Sequence, residues 1–191
     1  MNWYKIRRAK PQDKAALHRI ERACFALPWS ADELIKDATE NILAVYYVAE
    51  AAGSPGAVSA RSGDTPGSTS PGAVSARPGD TPGSTSPGAV SARPDPLLVG
   101  YAGLWVVLDE GHITNVAVDP DYRRQGIAAM LLLKLLEAAR EKGAKRFTLE
   151  VKRSNAAAIA LYERFGFRAA GSRKGYYEED GEDAVIMWTD T

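Results

Sequence analysis

The chain has little of several residues whose presence defines whole classes of protein. Its 191 residues include one cysteine, Cys24, so no disulfide can form within the chain. It has only two histidines, so a Cys/His metal cluster cannot be assembled. We therefore expect no metal, and we expect Cys24 to be a small buried side chain rather than a nucleophile.

Neither an excess of charge nor a long apolar run is present. Lys plus Arg and Asp plus Glu number 24 each, so the chain lacks the field of one sign that attracts nucleic acid or anionic lipid. No stretch approaches the roughly 18 uninterrupted apolar residues of a membrane span. The first residues, MNWYKIRRAK, lack the apolar core of a signal peptide. These absences predict a cytoplasmic protein with no nucleic-acid or membrane partner.

A sixteen-residue repeat interrupts this ordinary composition. Residues 55–70 read PGAVSARSGDTPGSTS, residues 71–86 differ from them at one position, and a truncated third copy begins at Pro87. One valine per repeat cannot offset the entropy of ordering so much Pro, Gly, Ser and Thr, so we expect residues 53–96 to be disordered. A solenoid is the competing interpretation, although it needs an apolar face in every repeat. Without the insertion about 147 residues remain, which predicts a single domain over 1–191.

Hydrophobic periodicity predicts an α/β (α+β) fold, in which about four helices flank a mixed sheet of about seven strands. The predicted helices cover 12–25, the segment after Ser30, 126–142 and 155–165. The predicted strands cover 4–9, 42–50, 97–109, 112–119, 145–151, 167–172 and 184–189. Strands 42–50 and 97–109 flank the repeat, so the insertion should lie in a hairpin loop. Ser30 and Glu33 have the spacing of a reciprocal capping box.

A candidate anion site lies where one strand leads into the longest helix. The run YRRQGIA places two arginines and Gly126 directly before the apolar helix. Backbone amides at a helix start can hold a pyrophosphate, and a glycine lets the phosphate approach closely. The alternative is that Gly126 only eases a tight turn between strand and helix.

The same run resembles a motif of the GCN5-related N-acetyltransferases. VAVDPDYRRQGIA fits their (Arg/Gln)-x-x-Gly-x-(Gly/Ala) pattern, with Ala128 at the position where many relatives have glycine. PWS at 28–30, NVAVDP at 115–120, LEVKRSNAAAIALYERFGF at 149–167 and YYEEDGEDAVIM at 176–187 narrow the likeness to the ribosomal-protein-alanine N-acetyltransferase group. The resemblance covers the whole chain except the repeat.

The resemblance implies that acetyl-CoA is the co-substrate and lies in a V-shaped opening between two parallel strands. The implied cofactor contacts come from two segments and two single residues: Val116, Ala117 and Val118; Arg123, Arg124, Gln125, Gly126, Ile127 and Ala128; Asn155; and Tyr162. The implied catalytic residues are Glu150, a general base acting through water, and Tyr162, a proton donor to the departing thiolate. Alternatively, Glu150 pairs with a nearby Lys or Arg and only orders the sheet, and Tyr162 is a half-buried aromatic.

The resemblance further implies a protein α-amine as acceptor, namely the N-terminal alanine of a small-subunit ribosomal protein. Candidate substrate contacts are Leu27, Trp29, His112, Tyr176 and Tyr177, of which His112 could instead be a base or an ordinary histidine at a strand edge. The acidic residues between 178 and 183 could attract a protonated N-terminus or form a solvated hairpin. A small-molecule amine acceptor and a non-catalytic acetyl-CoA sensor remain alternatives. We expect a monomer or a weak homodimer.

Deleting residues 54–95 should leave acetyl transfer intact, because the repeat is foreign to the family pattern and distant in sequence from the catalytic strands. The measurement is the acetylation rate of the shortened chain beside that of the full chain. Lost activity in a shortened chain that keeps its circular dichroism spectrum would contradict this expectation.

Overall fold

Seven strands form one mixed sheet in the computed structural model of the protein, which describes residues 3–51 and 97–190. The sequence-based expectation for residues 53–96, disordered or solenoid, lies outside these residues. Within the described ranges, no helix combines the length and the apolar character needed to cross a membrane.

The elements follow the order that periodicity predicts, and they confirm the mixed α/β fold. The strands are β1 Tyr4–Arg8, β2 Ala44–Ala51, β3 Leu98–Val107, β4 Glu110–Val118, β5 Arg146–Lys152, β6 Arg168–Tyr177 and β7 Glu182–Asp190. The α-helices are α1 Lys14–Cys24, α2 Ala31–Glu40, α3 Ile127–Glu141 and α4 Ala156–Arg164, with 3-10 turns at Pro11–Asp13 and Pro120–Tyr122. The sheet order is β1-β2-β3-β4-β5-β7-β6, and β4 and β5 are its parallel pair.

Both faces of the sheet are covered by helices. On one face α3 buries Leu131, Leu132 and Leu135 against side chains that include Phe147 of β5. On the other face α1 and α2 bury apolar side chains, among them Leu17 and Leu34, against the tyrosines of β2 and β3. A central strand therefore has an apolar environment on both sides, and a polar group there needs a partner.

Strand β5 shows the alternation that its sequence predicts. Phe147, Leu149 and Val151 are buried in the cluster around α3. Since successive side chains of a strand point to opposite faces, Thr148 and Glu150 point towards the α1 and α2 side.

Most predicted boundaries lie within two residues of the observed ones, and α1 and β6 illustrate the differences. The helix predicted over 12–25 opens with the 3-10 turn Pro11–Asp13 and ends at Cys24. The strand predicted over 167–172 extends to Tyr177, and its side chains are almost all exposed. GSRKGYY has no alternation of apolar residues, so periodicity could not reveal it; pairing with β7 makes it a strand.

The predicted capping box is confirmed at the start of α2. Ser30 Oγ accepts a hydrogen bond from the backbone N–H of Glu33 at 3.3 Å, and the Glu33 carboxylate accepts one from the backbone N–H of Ser30 at 3.0 Å. Two amides at the helix start are thereby satisfied. The box fixes where α2 begins, directly after the connection from α1.

Replacing Ser30 with alanine should lower the free energy of unfolding by about 1 kcal/mol, because an N-cap oxygen is lost. Urea unfolding of Ser30→Ala beside Ser172→Ala, a change on the exposed edge strand β6, measures the difference. Equal unfolding midpoints for the two variants would show that the box adds nothing to stability.

Candidate functional site

The central feature of the candidate site is the point where the parallel strands stop pairing. β4 and β5 pair from Glu110–Arg146 to His112–Thr148, although both strands continue for several residues. The remaining backbone of β4 is paired to β3 on its other side only, up to Val118. Its N–H and C=O groups facing β5 are therefore available to a ligand, since strand backbone requires hydrogen-bond partners.

A cavity of about 730 Å³ lies next to this end of β4. Ten of the eleven predicted cofactor residues line it: Val116, Ala117, Val118, Arg123, Arg124, Gly126, Ile127, Ala128, Asn155 and Tyr162. The side chain of Gln125 instead accepts a hydrogen bond from the hydroxyl of Tyr4. The side chain of Ile127 is buried in the core, so a ligand would meet the Ile127 backbone amide. The volume lies in the range of small-molecule and cofactor sites.

The loop before α3 has the geometry of an anion site. Gly126 is the N-cap of α3 with φ 80°, and Arg124 also has a positive φ of 63°. A Cβ built on Gly126 would meet no atom within 4 Å, so the backbone angle, rather than crowding within the chain, favours glycine. The first amides of this 15-residue helix have no partner within the helix and lie at the positive end of its dipole.

Arg123 is partly engaged by its own loop. Its Nε donates a hydrogen bond to the carbonyl of Val118 at 3.1 Å. This bond holds the loop against the end of β4, while the rest of the guanidinium can still face an anion.

The sequence did not predict nine of the residues that line the cavity, among them Cys24, Phe25 and Tyr122. Cys24 is half-buried, and its Sγ lies 3.3 Å from the carbonyl oxygen of Val118. Burial raises the pKa of the Cys24 thiol, which disfavours the thiolate. The contact joins residues 94 positions apart, and no local pattern in the sequence signals it.

Tyr162 is more deeply buried than the half-buried alternative requires. It is 8% exposed, lines the cavity from α4 and packs against the ring of Phe167. Burial, with a smaller contribution from Tyr177, raises the pKa of Tyr162 well above its ordinary value. A tyrosine hydroxyl keeps its proton at neutral pH even without this shift, and the shift makes it a weaker acid.

Asn155 stands at the start of the same helix. Its Oδ1 accepts a hydrogen bond from the backbone N–H of Ala158 at 3.1 Å, so the oxygen caps α4. A ligand contact by Asn155 would have to come from its amide nitrogen.

Glu150 does not line the cavity. Its side chain is 26% exposed, and Oε1 lies 3.1 Å from a guanidinium nitrogen of Arg173 on β6. The structure thus supplies the basic partner that the purely structural interpretation of Glu150 requires. The role of Glu150 as a base stays a prediction. The role of His112 also stays a prediction; it lies at the last β4–β5 pair, and its Nε2 is 3.1 Å from Oε2 of Glu110.

The connection between α1 and α2 carries two of the predicted acceptor contacts. Leu27 is 65% exposed and Trp29 is half-buried. The connection is fastened by Glu21, whose carboxylate accepts hydrogen bonds from the backbone N–H of Trp29 at 3.2 Å and from the hydroxyl of Tyr101. Glu21 is 1% exposed, and burial raises its pKa. Sequence reasoning missed Glu21, although its helical spacing from Leu17 and Ile20 places a carboxylate on the apolar face of α1.

The hairpin formed by β6 and β7 carries two further acceptor candidates, Tyr176 and Tyr177. The rings of Tyr176 and Tyr177 meet edge to face at 5.2 Å, and Tyr176 is 45% exposed. Most of the acidic run after them is occupied by the β5–α4 connection. Lys152 pairs with Glu179 at 2.9 Å and with Asp180 at 2.6 Å, and Glu182 accepts from Ser154. These bonds favour a structural role for the run over attraction of an acceptor.

Comparison with known proteins relates this arrangement to acetyltransferases. Residues 74–167 match the model of the Acetyltransferase (GNAT) family. The chain is 32% identical, over 183 residues, to a Bacillus subtilis protein named putative [ribosomal protein bS18]-alanine N-acetyltransferase. The alignment covers 96% of this chain and 93% of that protein.

Two solved structures share the fold. The crystal structure of the ribosomal-protein-S18-alanine N-acetyltransferase from Escherichia coli superposes with a TM-score of 0.67 and 30% identity, over 98% of this chain and 93% of that one. The structure of yncA, a putative acetyltransferase from Salmonella typhimurium with its cofactor acetyl-CoA, superposes with a TM-score of 0.67, over 99% of this chain and 94% of that one. At 18% identity, the second likeness concerns the fold alone.

The buried carboxyl of Glu21 should make stability depend on pH. Its pKa in the folded protein is raised above the ordinary 4.5, so as pH rises through 4.5 the unfolded chain loses this proton first. The free energy of unfolding should then fall with rising pH up to the raised pKa, and Glu21→Gln should remove that part of the slope. Urea unfolding of both proteins between about pH 4 and pH 7 measures it. Parallel pH profiles for the two proteins would contradict the assignment.

Proposed function

This chain belongs to the Acetyltransferase (GNAT) family, and we propose that it transfers the acetyl group of acetyl-CoA to the N-terminal α-amine of a protein. The proposed acceptor is the N-terminal alanine of the small-subunit ribosomal protein bS18. The observation that carries the proposal is the 32% identity, over nearly the full length of both chains, with the Bacillus subtilis protein named for that activity. A ribosomal-protein acceptor would also place the enzyme in the cytoplasm.

The residues around the cavity fit acetyl-CoA. The first amides of α3, with Gly126 at φ 80° and the adjacent arginines, suit its pyrophosphate. The β4 backbone at Val116–Val118, which β5 leaves without pairing, suits the amides of the pantetheine arm. When bound, acetyl-CoA supplies the activated acetyl group as a thioester.

The side chains at the site then divide the proton transfers. The acceptor amine must be neutral to attack the thioester carbonyl, and Glu150 takes its proton through water. The C–S bond breaks as the amide forms, and the leaving sulfur needs a proton. In the proposal Tyr162, whose side chain lines the cavity, provides that proton. Attack is direct within a ternary complex, so Cys24 needs no covalent role.

The two sides of the sheet have different tasks in this proposal. The cavity is lined mostly by α3, α4 and the end of β4, with Cys24 and Phe25 at the end of α1, whereas Glu150 lies outside it and points to the face covered by α1 and α2. The acceptor would enter on that second face, between the α1–α2 connection and the β6–β7 hairpin. Amine and thioester would meet where β4 and β5 part.

The proposal predicts release of CoA when acetyl-CoA is mixed with a peptide that begins with the alanine of bS18. An N-terminally blocked copy should give none, and Glu150→Gln should reduce the rate by about 10² or more, the usual contribution of a general base. Glu163→Gln, on the exposed side of α4, is the matched control and should be as active as the unaltered chain. If neither peptide causes release of CoA while acetyl-CoA still binds, the acceptor would be a small amine or the protein would be a cofactor sensor.

A further inference from the structure

Glu150 has one cationic partner in the described part of the chain, the guanidinium of Arg173. The distance between Nη2 of Arg173 and Oε1 of Glu150 is 3.1 Å. The central carbon of the same guanidinium, Cζ, lies 5.6 Å from the ring centre of Tyr176. One cation therefore contacts both the proposed base and an aromatic residue proposed to line the acceptor site.

Arg173 is held loosely, while Glu150 is held firmly. The Arg173 side chain is 57% exposed and belongs to the edge strand β6. The pairing of β6 with β7 is irregular between Arg173 and Tyr177, where Gly175 has a φ of 60°. Glu150 instead lies on β5, which pairs with β7 residue by residue from Arg146 to Lys152. The arginine can swing away without disturbing the core, because a largely exposed ion pair of this kind contributes little to stability.

An acceptor's protonated N-terminus offers the same chemistry as this guanidinium. Both donate charge-assisted N–H bonds to a carboxylate, and both are attracted to an aromatic face. Two cations placed together on one carboxylate edge would repel each other. Binding of the amine beside Glu150 therefore requires that Arg173 leave.

We propose that in the free protein Arg173 occupies the edge of the Glu150 carboxylate that the acceptor amine and its bridging water need, and that Arg173 is displaced when the acceptor binds. The inference rests on the proposed function and adds a residue to it. Arg173 is a positioning residue: it raises the concentration of acceptor needed for binding, and it does not take part in the chemical step.

The test is steady-state kinetics with the alanine-starting peptide and saturating acetyl-CoA. Arg173→Gln should lower the KM for the peptide by roughly threefold, the scale of an exposed ion pair, and should leave kcat unchanged. Arg173→Lys, which keeps a competing cation, should stay close to the unaltered chain. Lys174→Gln is the matched control, because it removes the same charge from the next, exposed position.

The outcomes separate this inference from the proposed function. No turnover by the unaltered chain would end the proposed function itself. If the unaltered chain turns over, two results would overturn the displacement proposal. One is a peptide KM that is unchanged or raised in Arg173→Gln, and the other is a lower kcat in Arg173→Gln. An equal fall of KM in Lys174→Gln would also overturn it, since a general charge effect would then suffice.

A binding measurement on an inactive background gives an independent readout. In Glu150→Gln, where the shared partner is gone, the further change Arg173→Gln should leave the peptide Kd unchanged in calorimetry with CoA present. A Kd that still falls would mean that Arg173 opposes the acceptor by some route other than Glu150.

Discussion

The rest of the site depends on the loss of pairing between the parallel strands β4 and β5 beyond His112 and Thr148. Parallel strands end at the same edge of a sheet, and here each is followed by a helix start, α3 after β4 and α4 after β5. The parting exposes strand backbone at the edge where both helices begin. A cavity with amides from a strand, amides from a helix start and a buried hydroxyl then follows from topology.

Contacts between residues far apart in sequence hold the walls around that parting. Glu21 fastens the α1–α2 connection to β3 through Tyr101, and Cys24 brings the end of α1 to the carbonyl of Val118. Lys152 ties the β5–α4 connection to the β6–β7 hairpin. The connections around the site are therefore held by polar contacts, whereas the sheet itself is held by strand pairing and apolar packing.

The sequence predicts those features that local physics determines. The periodicity of α3, the alternation of β5 and the Ser30–Glu33 box all appear as expected, because each depends on residues within a few positions of one another. The partners of Glu150 and Cys24 could not be predicted in this way, since strand pairing and helix packing bring them together. The length of β6 was underestimated for a related reason, because an exposed edge strand has no alternation of apolar residues that would predict it.

The two faces of β5 also explain why the sequence indicates the cofactor more clearly than the acceptor. A site for pyrophosphate or pantetheine is built largely from backbone groups. It requires only a glycine, the start of a helix and a strand that is no longer paired on one side, and a short sequence motif can specify these. The proposed acceptor site would instead be built from side chains on separate elements: Glu150, Arg173, Tyr176 and the α1–α2 connection. These side chains come together only through the pairing of β7 with both β5 and β6 and through the packing of α1 on β3 and β4, which no single stretch of sequence encodes.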